Sequence, residues 1–166
     1  MSNFAPRCLS IDLEVGVRDS RIHRFAALRG DRAEASLHYR QGNLLAALEQ
    51  LDALADGVNF LPGHNLIAFD LPHLAAAKAD LRLLQLPVVD TLWLNPLAFP
   101  RNPYHHLVKH YQEGQLKRGR MNDPHLDAQL TLEVFRNQQA ALAQASPDSV
   151  LAWHWLTTVN NTGAAT

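Results

Sequence analysis

The chain lacks the long apolar runs and paired cysteines that are typical of membrane proteins and of disulfide-bonded secreted scaffolds. Its longest uninterrupted apolar run is the five residues Leu44–Leu48, whereas a membrane-spanning helix needs about 18 or more. The single cysteine, Cys8, cannot form an internal disulfide, and its place in an apolar run predicts a buried structural thiol. No basic stretch followed by an apolar one opens the chain, so we predict no signal peptide and a cytoplasmic location.

Charged residues are also scarce, at 19% of the 166 residues, while hydrophobic residues make up 47%. This balance is far from that of disordered chains and predicts a folded core. The length suits one domain of ordinary size. We expect residues 1–159 to form that domain and residues 160–166 to be a tail or linker.

The net charge of -1 is distributed unevenly along the chain. Residues 101–120 contain five basic side chains and one acid, whereas the rest of the chain sums to -5. The basic residues are Arg101, Lys109, Lys117, Arg118 and Arg120. Such a segment is what binding to a phosphate backbone requires, and a solvated loop has the same composition.

Hydrophobic periodicity predicts strands first and helices later. Alternation predicts an antiparallel meander of three strands at residues 7–15, 21–29 and 34–40. Helical spacing follows at 43–57, 70–84 and 123–143, with short strands at 58–61 and 88–94 and a short helix at 104–112. The order predicts an α/β fold with a mixed sheet of five strands, a meander plus parallel strands, flanked by helices.

Two carboxylates interrupt the first predicted strand, which is otherwise apolar. Alternation places Asp12 and Glu14 on one face of that strand, about 7 Å apart at the backbone. A cation between them would offset their repulsion, and carboxylate oxygens favour Mg²⁺ or Mn²⁺. The other interpretation of the pair is a polar strand end at the rim of the sheet.

Two more acids stand at the starts of predicted helices. Asp70 follows the turn Gly63-His64-Asn65, and Asp127 lies near the start of the helix at 123–143. Each alone is explained as a helix cap or as a first-turn acid favoured by the helix dipole. Their order along the chain, after an Asp-x-Glu strand and a meander, is more informative than either residue alone.

In these motifs the chain resembles the DEDD family of 3'-to-5' exonucleases, the DnaQ-like or RNase T-like proteins with an RNase H-like fold. The resemblance covers about Cys8 to Phe135. Beyond the Asp-x-Glu strand, the matching motifs are Gly63-His64-Asn65 with Phe69-Asp70, Asp90-Thr91-Leu92, and Asp127-Ala128 with Leu132-Glu133.

The resemblance implies that Asp12, Glu14, Asp70 and Asp127 bind two divalent cations, Mg²⁺ or Mn²⁺. It implies hydrolysis of phosphodiester bonds at the 3' end of single-stranded DNA or RNA by a two-metal mechanism. The candidate substrate contacts are Leu13, His64 and Asn65 from the motifs, and Lys117 and Arg118 from the basic segment.

The chain departs from the family at the general base. The family places a histidine five residues before the last aspartate or a tyrosine four before, and these positions hold Asn122 and Asp123. Asp123 is therefore the candidate catalytic base, and it is equally a helix N-cap followed by proline. His125 precedes Asp127 by two residues, about 200° around a helix, so its ring is predicted to face away from the metals.

These motifs predict a metal-dependent exonuclease, weakened by the missing histidine or tyrosine. The alternative is an RNase H-like module with degraded chemistry that binds nucleic acid or a partner domain without cutting. The resemblance also implies a partner, because some domains of this kind precede a RecQ-family helicase in a longer chain. An apolar cluster around Trp153 and Trp155 is predicted to pack on the core or on such a following domain.

Overall fold

The first three strands form the antiparallel meander that the alternation predicts. The computed structural model describes residues 6–32, 34–103, 105, 107 and 123–159. Its strands are β1 (Leu9–Val15), β2 (Ile22–Arg29), β3 (Ser36–Tyr39), β4 (Leu61–Gly63) and β5 (Val88–Asp90). β1 pairs antiparallel with β2, and β2 pairs antiparallel with β3.

Helices make up most of the remaining described structure. They are α1 (Leu44–Leu54), α2 (Leu71–Ala77), α3 (Thr91–Ala98), α4 (Pro124–Leu142) and α5 (Pro147–Val159), with a π-helical turn at Leu66–Asp70 and a 3-10 turn at Arg82–Gln85. The start of α4 is confirmed in detail, since Asp123 is its N-cap and Pro124 its first residue. No helix in the described ranges is long and apolar enough to cross a membrane.

The strands form two hydrogen-bonded sheets, with three strands in one and two in the other. β4 and β5 form a separate parallel pair. One isolated parallel bridge, Cys8 with Phe60, connects this pair to the meander. Leu9 N donates to Phe60 O across it at 3.3 Å, and Asn59 N donates to Arg7 O at 2.8 Å. The fold is therefore mixed α/β, with a three-stranded antiparallel sheet and a two-stranded parallel sheet.

Two predicted elements have the wrong extent because their apolar spacing has a different cause. The helix predicted at 70–84 ends at Ala77, where Lys78 adopts an extended backbone. Leu81 and Leu83 are both buried, although they would lie about 200° apart on an α-helix. Leu81 instead has an extended backbone and precedes the 3-10 turn that contains Leu83. The strand predicted at 88–94 ends at Asp90, because this side chain accepts from Leu92 N and starts α3.

The remaining differences concern the short strand at 58–61 and the C-terminal part of the chain. The strand lies at Leu61–Gly63 instead, because Val58 N donates to Ala55 O in a turn after α1. The apolar C-terminal cluster lies on α5, where Leu151 is 67% and Trp155 is 62% exposed. This exposure argues against packing of these two side chains on the core, and packing on a following domain stays a prediction. The predicted helix at 104–112 falls mostly outside the described residues, as does the tail at 160–166.

The two faces of the meander bury different cores. Leu9, Ile11 and Leu13 point into the larger core with α1. The opposite face carries Cys8, Ala26 and Leu28, which pack against Ala128 and Leu132 of α4 in a smaller core. Burial raises the pKa of the Cys8 thiol to about 11, which confirms Cys8 as a buried structural thiol.

A buried hydrogen bond joins the smaller core to the backbone of α4. Ser10, fully buried, donates from Oγ to the Ala128 carbonyl at 2.9 Å. Because side chains alternate along β1, Asp12 and Glu14 lie on this same face. The bond therefore sets the position of α4 relative to the two carboxylates.

Ser10→Ala is expected to lower the free energy of unfolding by about 1–3 kcal/mol, because the buried Ala128 carbonyl loses its side-chain donor. Urea denaturation followed by circular dichroism measures this change. Ser36→Ala, an exposed serine on β3, is the matched control and should change stability by less than about 0.5 kcal/mol. Equal effects of the two substitutions would contradict a role for the Ser10 hydroxyl.

Candidate active site

An open cleft of about 700 Å³ contains three of the four predicted metal ligands: Asp12, Glu14 and Asp127. Asp12 and Glu14 lie on β1 and are half-buried, as the alternation predicts. Asp127 is in the first turn of α4 and is buried. The packing of α4 on the meander thus brings together acids that are more than 100 residues apart in the chain.

The fourth predicted ligand, Asp70, binds the backbone between the first two. Leu13 N donates to Asp70 Oδ1 at 2.9 Å, so this carboxylate takes the place of a neighbouring strand at that point of β1. Asp70 makes no capping hydrogen bond with its side chain, and the alternative that it serves as a helix cap does not describe its contacts. Leu13 lines the cleft, with its side chain in the larger core.

Burial raises the pKa of Asp70 to about 7, with the nearby Asp90 carboxylate adding to the effect. The hydrogen bond from Leu13 N opposes this shift without cancelling it. Asp70 is 3% exposed, so its ionised form has lost nearly all its hydration. The metal-free fold therefore disfavours a negative charge on Asp70.

The π-helical turn separates two neighbouring side chains. Asp70 points inward, whereas Phe69 is 37% exposed and lines the cleft. Phe69 was not predicted as a site residue from the sequence, although an aromatic residue directly before the motif aspartate was a visible signal. The cleft thus has an open aromatic surface beside its carboxylates.

The turn before Asp70 is held by a second buried acid. Asp90 accepts from Asn65 N at 2.9 Å and from Ile67 N at 3.0 Å, which stabilises Asn65 in the left-handed region at φ 65°. Asp90 was matched to a family motif without being given a site role. Its contacts show that it positions the segment leading to Asp70.

His64 is engaged in a chain of hydrogen bonds. Leu107 N donates to His64 Nε2 at 3.1 Å, His64 Nδ1 lies 3.0 Å from Thr91 Oγ1, and Thr91 Oγ1 donates to Gly63 O at 3.1 Å. Because Nε2 accepts, the proton of a neutral ring is on Nδ1. His64 and Asn65 are not among the residues lining the cleft, so their contact with substrate stays a prediction.

Asp123, the candidate base, and the nearby His125 are not among the residues that line the cleft. Asp123 Oδ1 accepts from His125 N at 3.2 Å, which is the N-cap contact. The His125 ring stacks on His38 of β3 with 4.3 Å between centroids, as expected for a ring facing away from Asp127. Lys117 and Arg118 fall outside the described residues.

His23 and Arg24 also line the cleft, and neither was predicted as a site residue from the sequence. Arg24 is paired with Glu14 across the strands, and its Nη1 lies 3.7 Å from Glu14 Oε2. Strand alternation gave no signal for His23, because it lies where the pairing register shifts. The cleft is thus lined by carboxylates and also by two basic side chains, His23 and Arg24.

The donor chemistry of the cleft fits a hard divalent cation, since every predicted ligand is a carboxylate. The side chains do not form a ready-made cage: within the described part of the chain, no group of three or more His, Cys, Asp or Glu residues is placed to hold a metal ion.

Compared with known proteins, the chain matches no family model and no curated protein. Function is therefore inferred from the chemistry of the cleft itself.

Asp70→Asn is expected to stabilise the metal-free protein at pH 8. A carboxyl with a folded-state pKa of about 7, against an ordinary value of 3.8, binds more protons when folded, so its contribution to stability falls as pH rises from about 4 to 7. The amide is neutral and can still accept from Leu13 N. We expect a gain on the order of 2 kcal/mol at pH 8, or several degrees in Tm, and little at pH 4.

Thermal unfolding in chelator at both pH values measures this difference. Asp148→Asn, an exposed acid on α5, is the control and should leave Tm unchanged. Adding Mg²⁺ at pH 8 should raise the wild-type Tm more than that of Asp70→Asn. A variant that is less stable than wild type at pH 8 would show that the ionised Asp70 is compensated within the metal-free fold.

Proposed function

We propose that this protein is a metal-dependent 3'-to-5' exonuclease that hydrolyses phosphodiester bonds at the 3' end of single-stranded DNA or RNA. One observation carries the proposal: Asp12, Glu14 and Asp127 line one open cleft, and Asp70 binds the backbone between the first two. Three carboxylates in one cleft, with a fourth bound to the strand between two of them, supply negative charge that supports binding of divalent cations.

We further propose that the two sheets act as one RNase H-like sheet of five strands. The bridge between Cys8 and Phe60 sets β4 beside β1 in parallel orientation. The spatial order would then be β3-β2-β1-β4-β5, with β1 at the centre. A central β1 supports the proposal because it places Asp12 and Glu14 between elements from both halves of the chain.

The chain's own residues would bind and orient the substrate. Asp12, Glu14, Asp70 and Asp127 would hold the cations, Mg²⁺ or Mn²⁺, which when bound supply charge stabilisation to the phosphate and activate water. Phe69 offers a flat aromatic surface on which an unpaired base can stack. Arg24, which also lines the cleft, can approach a phosphate oxygen. A stacked, unpaired base is the physical reason to expect single strands as substrate.

Asp12→Asn is expected to abolish nucleotide release, because the amide removes one negative ligand from the shared cleft. End-labelled DNA and RNA strands incubated with Mn²⁺, Mg²⁺ or chelator measure release from the 3' end. Asp148→Asn is the control and should retain wild-type activity. The outcome against the proposal is equal absence of release from wild type and Asp12→Asn while both still bind the strands, since that pattern describes a binding module.

The basic segment at 101–120 is expected to contribute to the affinity for nucleic acid and not to the chemical step. If Lys117 and Arg118 bind phosphates, replacing both with alanine should weaken binding to all sequences alike. The slope of log K against log salt should then decrease by about 0.7 for each phosphate that the variant no longer binds. Fluorescence anisotropy in Ca²⁺ at several salt concentrations measures it, with the exposed pair Arg7 and Arg136 replaced as a control. An unchanged slope would identify the segment as a solvated loop.

A further inference from the structure

A histidine and a carboxylate form a pair at the rim of the cleft. His23 Nε2 lies 3.0 Å from Asp19 Oδ2, and Asp19 Oδ1 accepts from Arg21 N at 3.1 Å. Both oxygens of Asp19 are therefore engaged, and these contacts hold the pKa of Asp19 below its ordinary value. Asp19 stays ionised and fixes one nitrogen of the imidazole.

A β-bulge directs His23 into the cleft. Glu14 pairs with Arg24 and the next residue, Val15, pairs with Ile22, so His23 is the extra residue of β2. Bulges re-aim side chains and are common beside active sites. Through this irregularity His23 lines the same cleft as Asp12 and Asp127.

The turn between β1 and β2 is built to accommodate this pair. Gly16 N donates to Arg21 O, and Ser20 N donates to Gly16 O, both at 2.9 Å. A Cβ on Gly16 would clash with Asp19 Oδ1 and lie 2.7 Å from His23 Nε2. A side chain at this position would therefore displace the Asp19 carboxylate or the His23 ring from their contact.

The pair also determines which nitrogen of the His23 ring can accept a proton. An ionised carboxylate can only accept, so the proton of a neutral His23 is on Nε2. Nδ1 then carries a lone pair, and it makes no hydrogen bond to any residue that the structure describes. In Asp-His pairs of hydrolases, a carboxylate orients the base in the same way.

We propose that His23 is the proton acceptor of the cleft, positioned by Asp19 and Gly16, in place of the base missing near the start of α4. The assignment rests on the proposed exonuclease function. Nδ1 takes a proton from the attacking water, the water oxygen bonds to phosphorus, and the bond from phosphorus to the 3' oxygen breaks. The 3' oxygen takes a proton from solvent, which yields a nucleoside 5'-phosphate and a strand shortened by one.

The charges around His23 come from three elements and one turn. The charged side chains that line the same cleft or contact the ring are Arg24 on β2, Glu14 and Asp12 on β1, Asp127 on α4 and Asp19 in the turn. A histidine accepts a proton only when its ring is neutral. The proposal therefore gives an activity that falls when the ring is protonated at low pH.

The kinetic test compares the pH dependence of nucleotide release by wild type, His23→Gln and Asp123→Asn. We expect His23→Gln to lower the rate about 10²- to 10⁴-fold and to lose the acid limb, while strand affinity in Ca²⁺ stays within about twofold. His154→Gln on α5, an exposed histidine away from the cleft, is the matched control. A wild-type rate in His23→Gln with a steep loss in Asp123→Asn overturns the proposal and assigns the base to Asp123.

A second measurement does not depend on activity. Nitrogen-15 NMR of the metal-free protein reports the tautomer of His23, which we expect to be protonated on Nε2 in wild type and mixed in Asp19→Asn. A wild-type ring protonated on Nδ1 overturns the proposal, because that nitrogen could not then accept a proton. Absence of nucleotide release from wild type on every strand rejects the exonuclease function, and with it the role of His23. Release by wild type and His23→Gln at equal rates rejects the role of His23 alone.

Discussion

A buried hydrogen bond from Ser10 Oγ to the Ala128 carbonyl connects α4 to the meander, within the smaller core that also holds the helix there. Asp12 lies two residues beyond Ser10 on the same face of β1, about 7 Å along the strand. Asp127 directly precedes Ala128 on α4. The bond therefore places two distant carboxylates in one cleft, and the small side chains of Ala26 and Ala128 allow the helix to approach the sheet closely.

A buried carboxylate, Asp70, lies next to this cleft. Asp70 is buried against β1 and its pKa is raised to about 7. Arg24 lies at the rim, 3.7 Å from Glu14 and half-exposed, and an exposed ion pair contributes little. At Asp70 an ionised carboxylate therefore opposes folding of the metal-free protein above about pH 7.

A buried polar network joins α4 to α3. Gln138 of α4 donates to Thr91 O and to Asn95 Oδ1, both at 2.7 Å, and Thr91 in turn contacts His64. Asp90 fixes the turn that ends in Asp70. Through α3, hydrogen bonds thus connect the helix that contains Asp127 with the turn that contains Asp70. These two elements are remote in sequence.

The local sequence by itself determined several secondary-structure elements of this protein. The alternation along 7–15, 21–29 and 34–40 predicted the meander, and Asp123 followed by Pro124 predicted the start of α4, because strand period and helix capping depend on neighbouring residues. The shared face of Asp12 and Glu14 followed from the same period.

Only the tertiary structure decided the rest. The bulge that directs His23 into the cleft, the end of α2 at Ala77 and the binding of Asp70 to Leu13 N each depend on a partner elsewhere in the chain. The hydrophobic periodicity of a segment gives no information about partners elsewhere in the chain. The carboxylates of this cleft were therefore predictable from the sequence. The presence of His23 and Arg24 at the cleft and the raised pKa of Asp70 were not, because they arise from burial and from contacts between distant segments.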